Sequence, residues 1–227
     1  MRPELLVTIV VIEGDGPVVS WDAPLCAVLD NGLVEIYRGR SAGGDVDGSS
    51  IWTNLLSCLP RPLTPRSLTV GAPGKDRGRV GSDALDVLVL NGHGMGIRSS
   101  LGAIDTLLGE NRRYDLIIAD ACSMMTMEAV VALAHRGDYY LAVTGDMPIL
   151  GLPYAEVVEL LRGCRRSDLV DTIARLRALI CEEQSHLQGR FKHPIRWELC
   201  DLSAVRESYR TFRALVSSRA ARACSLS

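Results

Sequence analysis

The chain has 227 residues, enough to bury one sizeable hydrophobic core, and this length is typical of a single domain over residues 1–227. Lys and Arg number 25 against 27 Asp and Glu, and only 5% of residues are aromatic, so neither charge nor base-stacking side chains indicate a nucleic-acid partner. No apolar run reaches the roughly 18 residues that suggest a membrane span, so no membrane partner is expected.

The first predicted element is a strand at 5–12, whose apolar and β-branched residues suit a central strand covered on both faces. Glu4 interrupts the start of this stretch, and Glu13 and Asp15 follow where a secretory signal would need small residues. The stretch is therefore interpreted as a buried strand rather than as a signal peptide.

A hairpin and a long polar segment follow. Residues 26–29 and 33–37 flank Asp30-Asn31-Gly32, which is the turn chemistry of a tight hairpin. Residues 38–81 are rich in Gly, Ser, Pro and Arg, a composition that predicts a flexible surface loop.

Beyond this loop, predicted strands and helices alternate. The strands are 86–91, 115–120, 139–144 and 195–200, and the helices are 101–108, 124–135, 153–162, 167–188 and 203–218. This alternation predicts an α/β fold with a mostly parallel sheet flanked by helices on both faces. Residues 217–227 are expected to form a disordered tail.

The cysteines bear on the cellular compartment. Their number, seven, is odd, and the closest two are 17 residues apart, so the chain has no C-x-x-C zinc or redox motif. Free thiols in a reducing cytosol are the simplest interpretation, which predicts a cytoplasmic protein.

Two of the predicted strands end in reactive side chains. Asn91-Gly-His93-Gly94 ends the first, and Asp120-Ala-Cys122 ends the second. Ligand sites of open α/β sheets form at the carboxyl ends of strands, and a right-handed crossover through one short helix makes these strands neighbours. His93 and Cys122 are therefore expected to lie within reach of one another.

This combination of residues suits thiol hydrolysis, which needs a thiolate, a proton acceptor and donors for an oxyanion. Cys122 is the candidate nucleophile, because the start of the following helix and a nearby imidazole both favour a thiolate. His93 is the candidate base, and the backbone N–H groups of Gly94 and Cys122 are the candidate oxyanion donors.

Two carboxylates predict the charge of the substrate. Asp120, two residues before the nucleophile, is expected to point into the cleft, and Asp146 follows the next strand and can line the same cavity. Carboxylates in a cleft attract a guanidinium or ammonium group, which predicts substrate binding through Arg or Lys. Arg98 lies near His93 in the sequence, so the reverse preference, for an acidic residue, stays open.

The chain resembles the clostripain family of caspase-like cysteine peptidases, a resemblance that covers about residues 85–221. The matching pieces are the following: Asn91-Gly-His-Gly94, Asp120-Ala-Cys122 with a helix that contains Glu128, Gly151-Leu-Pro-Tyr154 and Asp201-Leu-Ser203. The resemblance implies a caspase-like sheet, His93 as general base and Cys122 as nucleophile. It also implies an acidic pocket, carried by Asp120, for an Arg or Lys that precedes the scissile bond.

The same resemblance implies protein or peptide substrates and a role as an effector protease. Some members depend on calcium, but the sequence has no calcium-loop pattern, so no cofactor is expected. Because long exposed loops are where proteolytic nicking concentrates, we predict a zymogen that is cut within 38–81 by itself or by an upstream activating protease. The basic residues available there are Arg38, Arg40, Arg61, Arg66, Lys75, Arg77 and Arg79.

Two other functions compete with this one. Gly92-x-Gly94-x-Gly96 after a strand could be the phosphate loop of a nucleotide-binding domain, but it lacks the G-x-G-x-x-G spacing and leaves Cys122 unexplained. A catalytically silent interaction module on the same fold is the second alternative, and the intact His93 and Cys122 pair disfavours it.

Overall fold

The computed structural model describes residues 5–13, 19–21, 25–29, 32–41, 85–92, 112–147, 151–185 and 195–224. These residues contain eight strands and four α-helices. The strands are β1 Leu5–Glu13, β2 Val19–Trp21, β3 Leu25–Leu29, β4 Gly32–Ser41, β5 Leu85–Gly92, β6 Tyr114–Asp120, β7 Gly137–Val143 and β8 Trp197–Asp201. The helices are α1 Met127–Leu133, α2 Tyr154–Arg162, α3 Leu169–Gln184 and α4 Leu202–Cys224.

All eight strands belong to one mixed sheet, in the order β2-β4-β1-β5-β6-β7-β8, with β3 also paired to β4. The five central strands β4, β1, β5, β6 and β7 run parallel to one another, whereas β2, β3 and β8 join antiparallel. The predicted α/β class with a mostly parallel sheet is confirmed. β1 is a central strand as predicted, because it pairs with β4 on one side and β5 on the other.

Alternate residues of the strands supply two apolar cores, one on each face of the sheet. On β6, Leu116 and Ile118 join the core that α2 and α3 cover, while Ile117 and Ala119 join the core covered by α1 and the first residue of α4. Strands that are apolar on both faces are what a parallel sheet with helices on both sides requires. No described helix has the length and apolar character needed to cross a bilayer.

The predicted hairpin is confirmed. β3 pairs antiparallel with β4, and Leu29 lies opposite Gly32. β4 extends further than predicted, to Ser41, and β2 pairs with its last three residues. The first four residues of the predicted loop 38–81 therefore lie in a strand, and the rest of that loop lies outside the described residues.

Two predicted helices have other limits in the structure. The helix predicted at 124–135 is the shorter α1, which begins at Met127 because the Thr126 side chain caps it by accepting from the backbone N–H of Ala129 at 3.1 Å. At the other end of the chain, α4 continues to Cys224 through most of the segment 217–227 that was expected to be a tail. The helix predicted at 101–108 lies outside the described residues.

Candidate active site

Cys122 lies in the turn that follows β6, at the carboxyl edge of the sheet. The backbone of this turn is fixed to the end of β7. The N–H of Ser123 donates to the carbonyl of Gly145 at 2.7 Å, and the N–H of Met125 donates to the carbonyl of Val143 at 3.1 Å. Ser123 has a φ of 52°, a left-handed conformation that costs a non-glycine residue roughly 1–2 kcal/mol and is concentrated at functional sites.

The Cys122 thiol is partly exposed and has a backbone donor. The N–H of Met147 points at Cys122 Sγ at 3.2 Å, so the loop after β7 fixes the direction of the sulfur. The sequence predicted that the N-terminus of the following helix favours the thiolate of Cys122. In the structure α1 begins five residues after Cys122, so the helix does not start directly behind the thiol.

The register of β5 and β6 relates Cys122 to its predicted partner, His93. Asn91 on β5 is the register partner of Asp120 on β6, in a parallel pair. His93 follows Asn91 by two residues, as Cys122 follows Asp120. His93 itself, Gly94 and Arg98 lie outside the described residues.

Asp120 is the centre of a buried polar network at this edge, with only 3% of its surface exposed. Its Oδ2 accepts from Asn91 Nδ2 at 2.6 Å and from the Tyr154 hydroxyl at 2.5 Å. Asn91 Nδ2 also donates to the Tyr154 hydroxyl at 3.1 Å, which closes a three-membered ring of hydrogen bonds. The structure thus brings together two strand ends and the first residue of α2.

The electrostatic state of Asp120 follows from this environment. Burial raises the pKa of its carboxyl above the usual range, and the donors from Tyr154, Asn91 and the backbone of Leu152 offset only part of that effect. Among the described residues no Lys, Arg or His forms an ion pair with it. Within the described part of the chain, Asp120 is therefore a buried acid held by neutral donors.

A second layer of contacts positions the segment that lies against Asp120. Gly151 has a φ of 66°, and a Cβ there would lie 3.0 Å from Asp120 Oδ2, so both conformation and space favour glycine. Its carbonyl accepts from Gln184 Nε2 at 3.3 Å, and the Gln184 side chain accepts from Trp197 Nε1 at 3.0 Å. α3 and β8 thereby hold the loop before α2 against the carboxylate.

Asp146, the second predicted substrate-binding carboxylate, lies on the loop after β7 and is exposed. Its chain neighbours both contact the turn that carries Cys122, since Gly145 accepts from Ser123 and Met147 donates to Cys122 Sγ. Among the described residues, no group of three or more His, Cys, Asp or Glu could hold a metal ion.

Sequence reasoning did not assign a role to Asn91, Tyr154 or the Met147 backbone. Tyr154 occurs in the sequence within Gly151-Leu-Pro-Tyr154, and its signal is a tyrosine at the start of a helix that follows a strand and a glycine turn. Asn91 carries the stronger signal, an amide at the end of a strand that is otherwise entirely apolar after Asp86.

Comparisons with known proteins bear on this arrangement. The clostripain family profile matches residues 97–225, which is more than half of the chain and includes Cys122. No curated protein matches the sequence.

Solved structures of C11 proteases show distant similarity. An inactive zymogen C11 protease from Parabacteroides distasonis aligns over 95% of this chain and 66% of its own, with 13% identity and a TM-score of 0.44. A secreted C11 cysteine protease from Bacteroides thetaiotaomicron, iotapain, aligns over 89% of this chain and 67% of its own, with 15% identity and a TM-score of 0.46. A secreted C11 cysteine protease from the same organism, in complex with an irreversible peptide inhibitor, aligns over 80% and 60%, with 15% identity and a TM-score of 0.44.

This chain thus spans about two thirds or less of the length of those structures. The family match itself covers the turn with Cys122, the buried Asp120 and the whole of α1 to α4. The chain belongs to the clostripain family of cysteine peptidases.

Proposed function

We propose that the chain is a cysteine endopeptidase in which Cys122 is the nucleophile and His93 the general base. The observation that carries this proposal is the position of Cys122 Sγ at the carboxyl edge of the sheet, 3.2 Å from the Met147 N–H. Cys122 lies just past the end of β6, which pairs in parallel with β5, the strand that His93 follows. Adjacent parallel strands lie roughly 4.8 Å apart, so residues two positions past register partners can interact.

The chemistry assigned to this pair is acyl transfer. His93 takes the thiol proton, Cys122 Sγ attacks the scissile carbonyl carbon, and the backbone N–H groups of Cys122 and Gly94 donate to the oxyanion. The amine then leaves with the proton from His93, and water hydrolyses the acyl-enzyme with His93 again accepting a proton. The contacts of Ser123 and Met147 would keep the sulfur and the Cys122 N–H fixed throughout.

Replacement of either member of the pair tests this mechanism. Cys122→Ala and His93→Ala should each lower kcat/KM for peptide cleavage about 10⁴-fold or more with the melting temperature nearly unchanged, since the two groups act as a unit. Cys181→Ala is a matched control, because Cys181 is another partly buried free thiol, on α3.

Labelling of the same variants separates a peptidase from a catalytically silent module. A peptide with an electrophilic carbonyl end should label Cys122 in the wild type, label it far more slowly in His93→Ala, and leave Cys181 unmodified. Peptide cleavage at the wild-type rate in Cys122→Ala would refute the mechanism.

We further propose that the enzyme cleaves after Arg or Lys. Asp120 supports this preference, because it is a buried carboxylate two residues before the nucleophile that no described cation neutralises. Asp146 adds an exposed carboxylate between Gly145, which accepts from the Ser123 N–H, and Met147, which donates to Cys122 Sγ. A basic side chain that enters between them gains a charge-assisted hydrogen bond that an acidic one cannot make.

Activation by cleavage in the polar loop is the last part of the proposal, and the structure narrows the sites. Arg38 and Arg40 lie in β4, where β1 pairs with both and β2 pairs with Arg40, so neither is open to a protease. The five remaining basic residues are Arg61, Arg66, Lys75, Arg77 and Arg79. The pieces would stay together because β1 and β4, before the cut, pair with each other and β1 pairs with β5, after it. Such an enzyme would act as an effector, downstream of whatever cuts it.

Replacement of those five residues by Gln tests activation. We expect an uncut chain with strongly reduced activity on a small peptide, while the wild type yields fragments that end after one of the five. Full activity in the uncut variant, together with an uncut wild type, would refute activation by cleavage. The proposed roles of Cys122 and His93 would be unaffected.

A further inference from the structure

The hydrogen-bond ring around Asp120 leaves two acceptors unused. Asp120 Oδ2 accepts from both side-chain donors, Asn91 and Tyr154, and Asn91 Nδ2 makes both bonds of the Asn91 amide. Asp120 Oδ1 and Asn91 Oδ1 are buried and have no hydrogen-bond partner among the described residues. The two residues are register partners, so these oxygens belong to adjacent strand ends.

Unused buried acceptors are costly. A buried acceptor without a hydrogen bond lowers the stability of the folded state, and native proteins satisfy the great majority of such groups. Two at one place, one of them on a carboxylate, indicate that a ligand satisfies them. Because both atoms are acceptors, and because no described cation pairs with Asp120, the complementary ligand carries positive charge and several N–H donors.

We propose that Asn91 shares with Asp120 the binding of the substrate's basic side chain, and that Tyr154 positions both groups for it. This inference rests on the proposed peptidase function. It adds Asn91 Oδ1 as a second acceptor and makes arginine the preferred basic residue. A guanidinium presents five N–H donors in a fixed plane and is satisfied by two separate oxygens, whereas a compact ammonium gains less from the second one.

Tyr154 determines which atoms remain available. Its hydroxyl donates to Asp120 Oδ2 and accepts from Asn91 Nδ2. These two bonds fix the orientation of the Asn91 amide, with Nδ2 toward Asp120 Oδ2 and Oδ1 left without a donor among the described residues. Gly151 packs directly against the carboxylate, and a larger residue would crowd it, since a Cβ there would lie 3.3 Å from Asp120 Oδ1. Tyr154 is therefore a positioning residue, which orients Asn91 Oδ1 and Asp120 Oδ1 for the substrate.

The test compares peptides that differ only at the residue before the scissile bond, which is Arg, Lys or citrulline, the uncharged analogue of Arg. In Asn91→Ala we expect kcat/KM for the Arg peptide to fall about tenfold more than for the Lys peptide, mainly through KM, because a hydrogen bond to a charged group is lost. Tyr154→Phe should lower the Arg-to-Lys ratio several-fold. Tyr114→Phe is the matched control, because Tyr114 is equally buried, lies at the other end of β6, and its hydroxyl has no hydrogen-bond partner among the described residues.

The outcomes separate this inference from the function on which it rests. An Arg-to-Lys ratio that stays at the wild-type value in both Asn91→Ala and Tyr154→Phe overturns the role of Asn91. If Asn91→Ala fails to fold, the Arg-to-Lys ratio of Tyr154→Phe alone tests the inference, since this substitution keeps the aromatic ring and removes only the hydroxyl. If instead the wild type cleaves the citrulline peptide as well as the Arg peptide, the proposed basic specificity fails first, and the inference fails with it.

Discussion

Buried acids lie at both ends of the β5–β6 pair, but their partners differ: arginines at the amino end and neutral donors at the carboxyl end. At the amino end, Asp86 and Asp115 lie side by side, and each has an arginine: Arg112 reaches Asp86 at 3.2 Å and Arg166 reaches Asp115 at 2.9 Å. The backbone N–H of Asp86 also donates to Asp115 at 2.9 Å. At the carboxyl end, the side chains that donate to Asp120 among the described residues are the neutral Asn91 and Tyr154.

The difference indicates what each end does. A buried carboxylate with a matched arginine is a closed arrangement, and its loss is felt mainly in stability. A buried carboxylate without a cation keeps its capacity to bind one, at a cost to the folded state. Strongly perturbed acids of the second kind cluster at functional sites, and Asp120 lies two residues from Cys122.

The largest expected effect is at the carboxyl end. Asp120→Asn should lower kcat/KM for Arg and Lys peptides by about 100-fold or more, because a charge-assisted bond in a water-poor site is lost. Asp86→Asn removes an acid from the other end of the adjacent strand and should leave kcat/KM for the same peptides nearly unchanged. Wild-type preference in Asp120→Asn, or a preference for Asp before the scissile bond, would contradict the assignment and favour Arg98 instead.

The pH dependence of the wild type sharpens the same test. Because burial raises the pKa of Asp120, its carboxyl takes up a proton at a higher pH than an exposed aspartate does. Cleavage of Arg peptides should therefore fall as the pH drops through that raised pKa. Asp120→Asn should lack this acid limb.

The sequence predicted the strands that meet at the carboxyl end better than the side-chain contacts between them. Strand 86–91, strand 115–120 and their adjacency follow from apolar runs and the crossover rule, and β5 and β6 are indeed neighbours. The ring around Asp120 could not be predicted, because it joins residues 29 and 34 positions apart through side-chain rotamers that no periodicity encodes. α1 was predicted too long since Met124 and Met125 are apolar, yet the N–H of Met125 donates to the Val143 carbonyl on β7 and both methionines lie before the helix.

A smaller effect, on stability alone, is expected at the amino end. Arg112→Ala should lower the free energy of unfolding by about 3 kcal/mol at pH 8, because it leaves Asp86 buried with its charge uncompensated. Burial, which outweighs the opposing effect of Arg112, raises the pKa of Asp86 from 3.8 to about 6 in the folded chain. A raised pKa stabilises the folded state below 3.8, and that contribution is lost as the pH rises through about 6.

Urea unfolding at two pH values checks this prediction. The loss caused by Arg112→Ala should be smaller at pH 5, where Asp86 can bind a proton, than at pH 8. The catalytic constants at pH 8 should stay near those of the wild type. A large loss of kcat/KM in a folded Arg112→Ala chain would show that the two ends are coupled, and the comparison between them would no longer hold.

The smallest effect concerns a fourth carboxylate, Asp201, which separates the influence of donors from that of burial. Asp201 Oδ1 accepts from Ser203 N, Ser203 Oγ and Ala204 N at 2.9, 2.6 and 3.1 Å at the start of α4, where it is exposed. Like Asp120, it is held mainly by neutral donors, but the hydrogen bond from Ser203 and the other donors here lower the pKa of Asp201, since water remains available to the charged form. A lowered pKa stabilises the fold above 3.8, and this contribution disappears as the pH falls through the folded value.

Asp201→Ala should therefore cost about 1 kcal/mol at pH 7, as loss of an N-cap does, and less at pH 3. A cost that stayed constant between these pH values in urea unfolding would mean that donors alone do not set the charge state, and the contrast with buried Asp120 would need another cause.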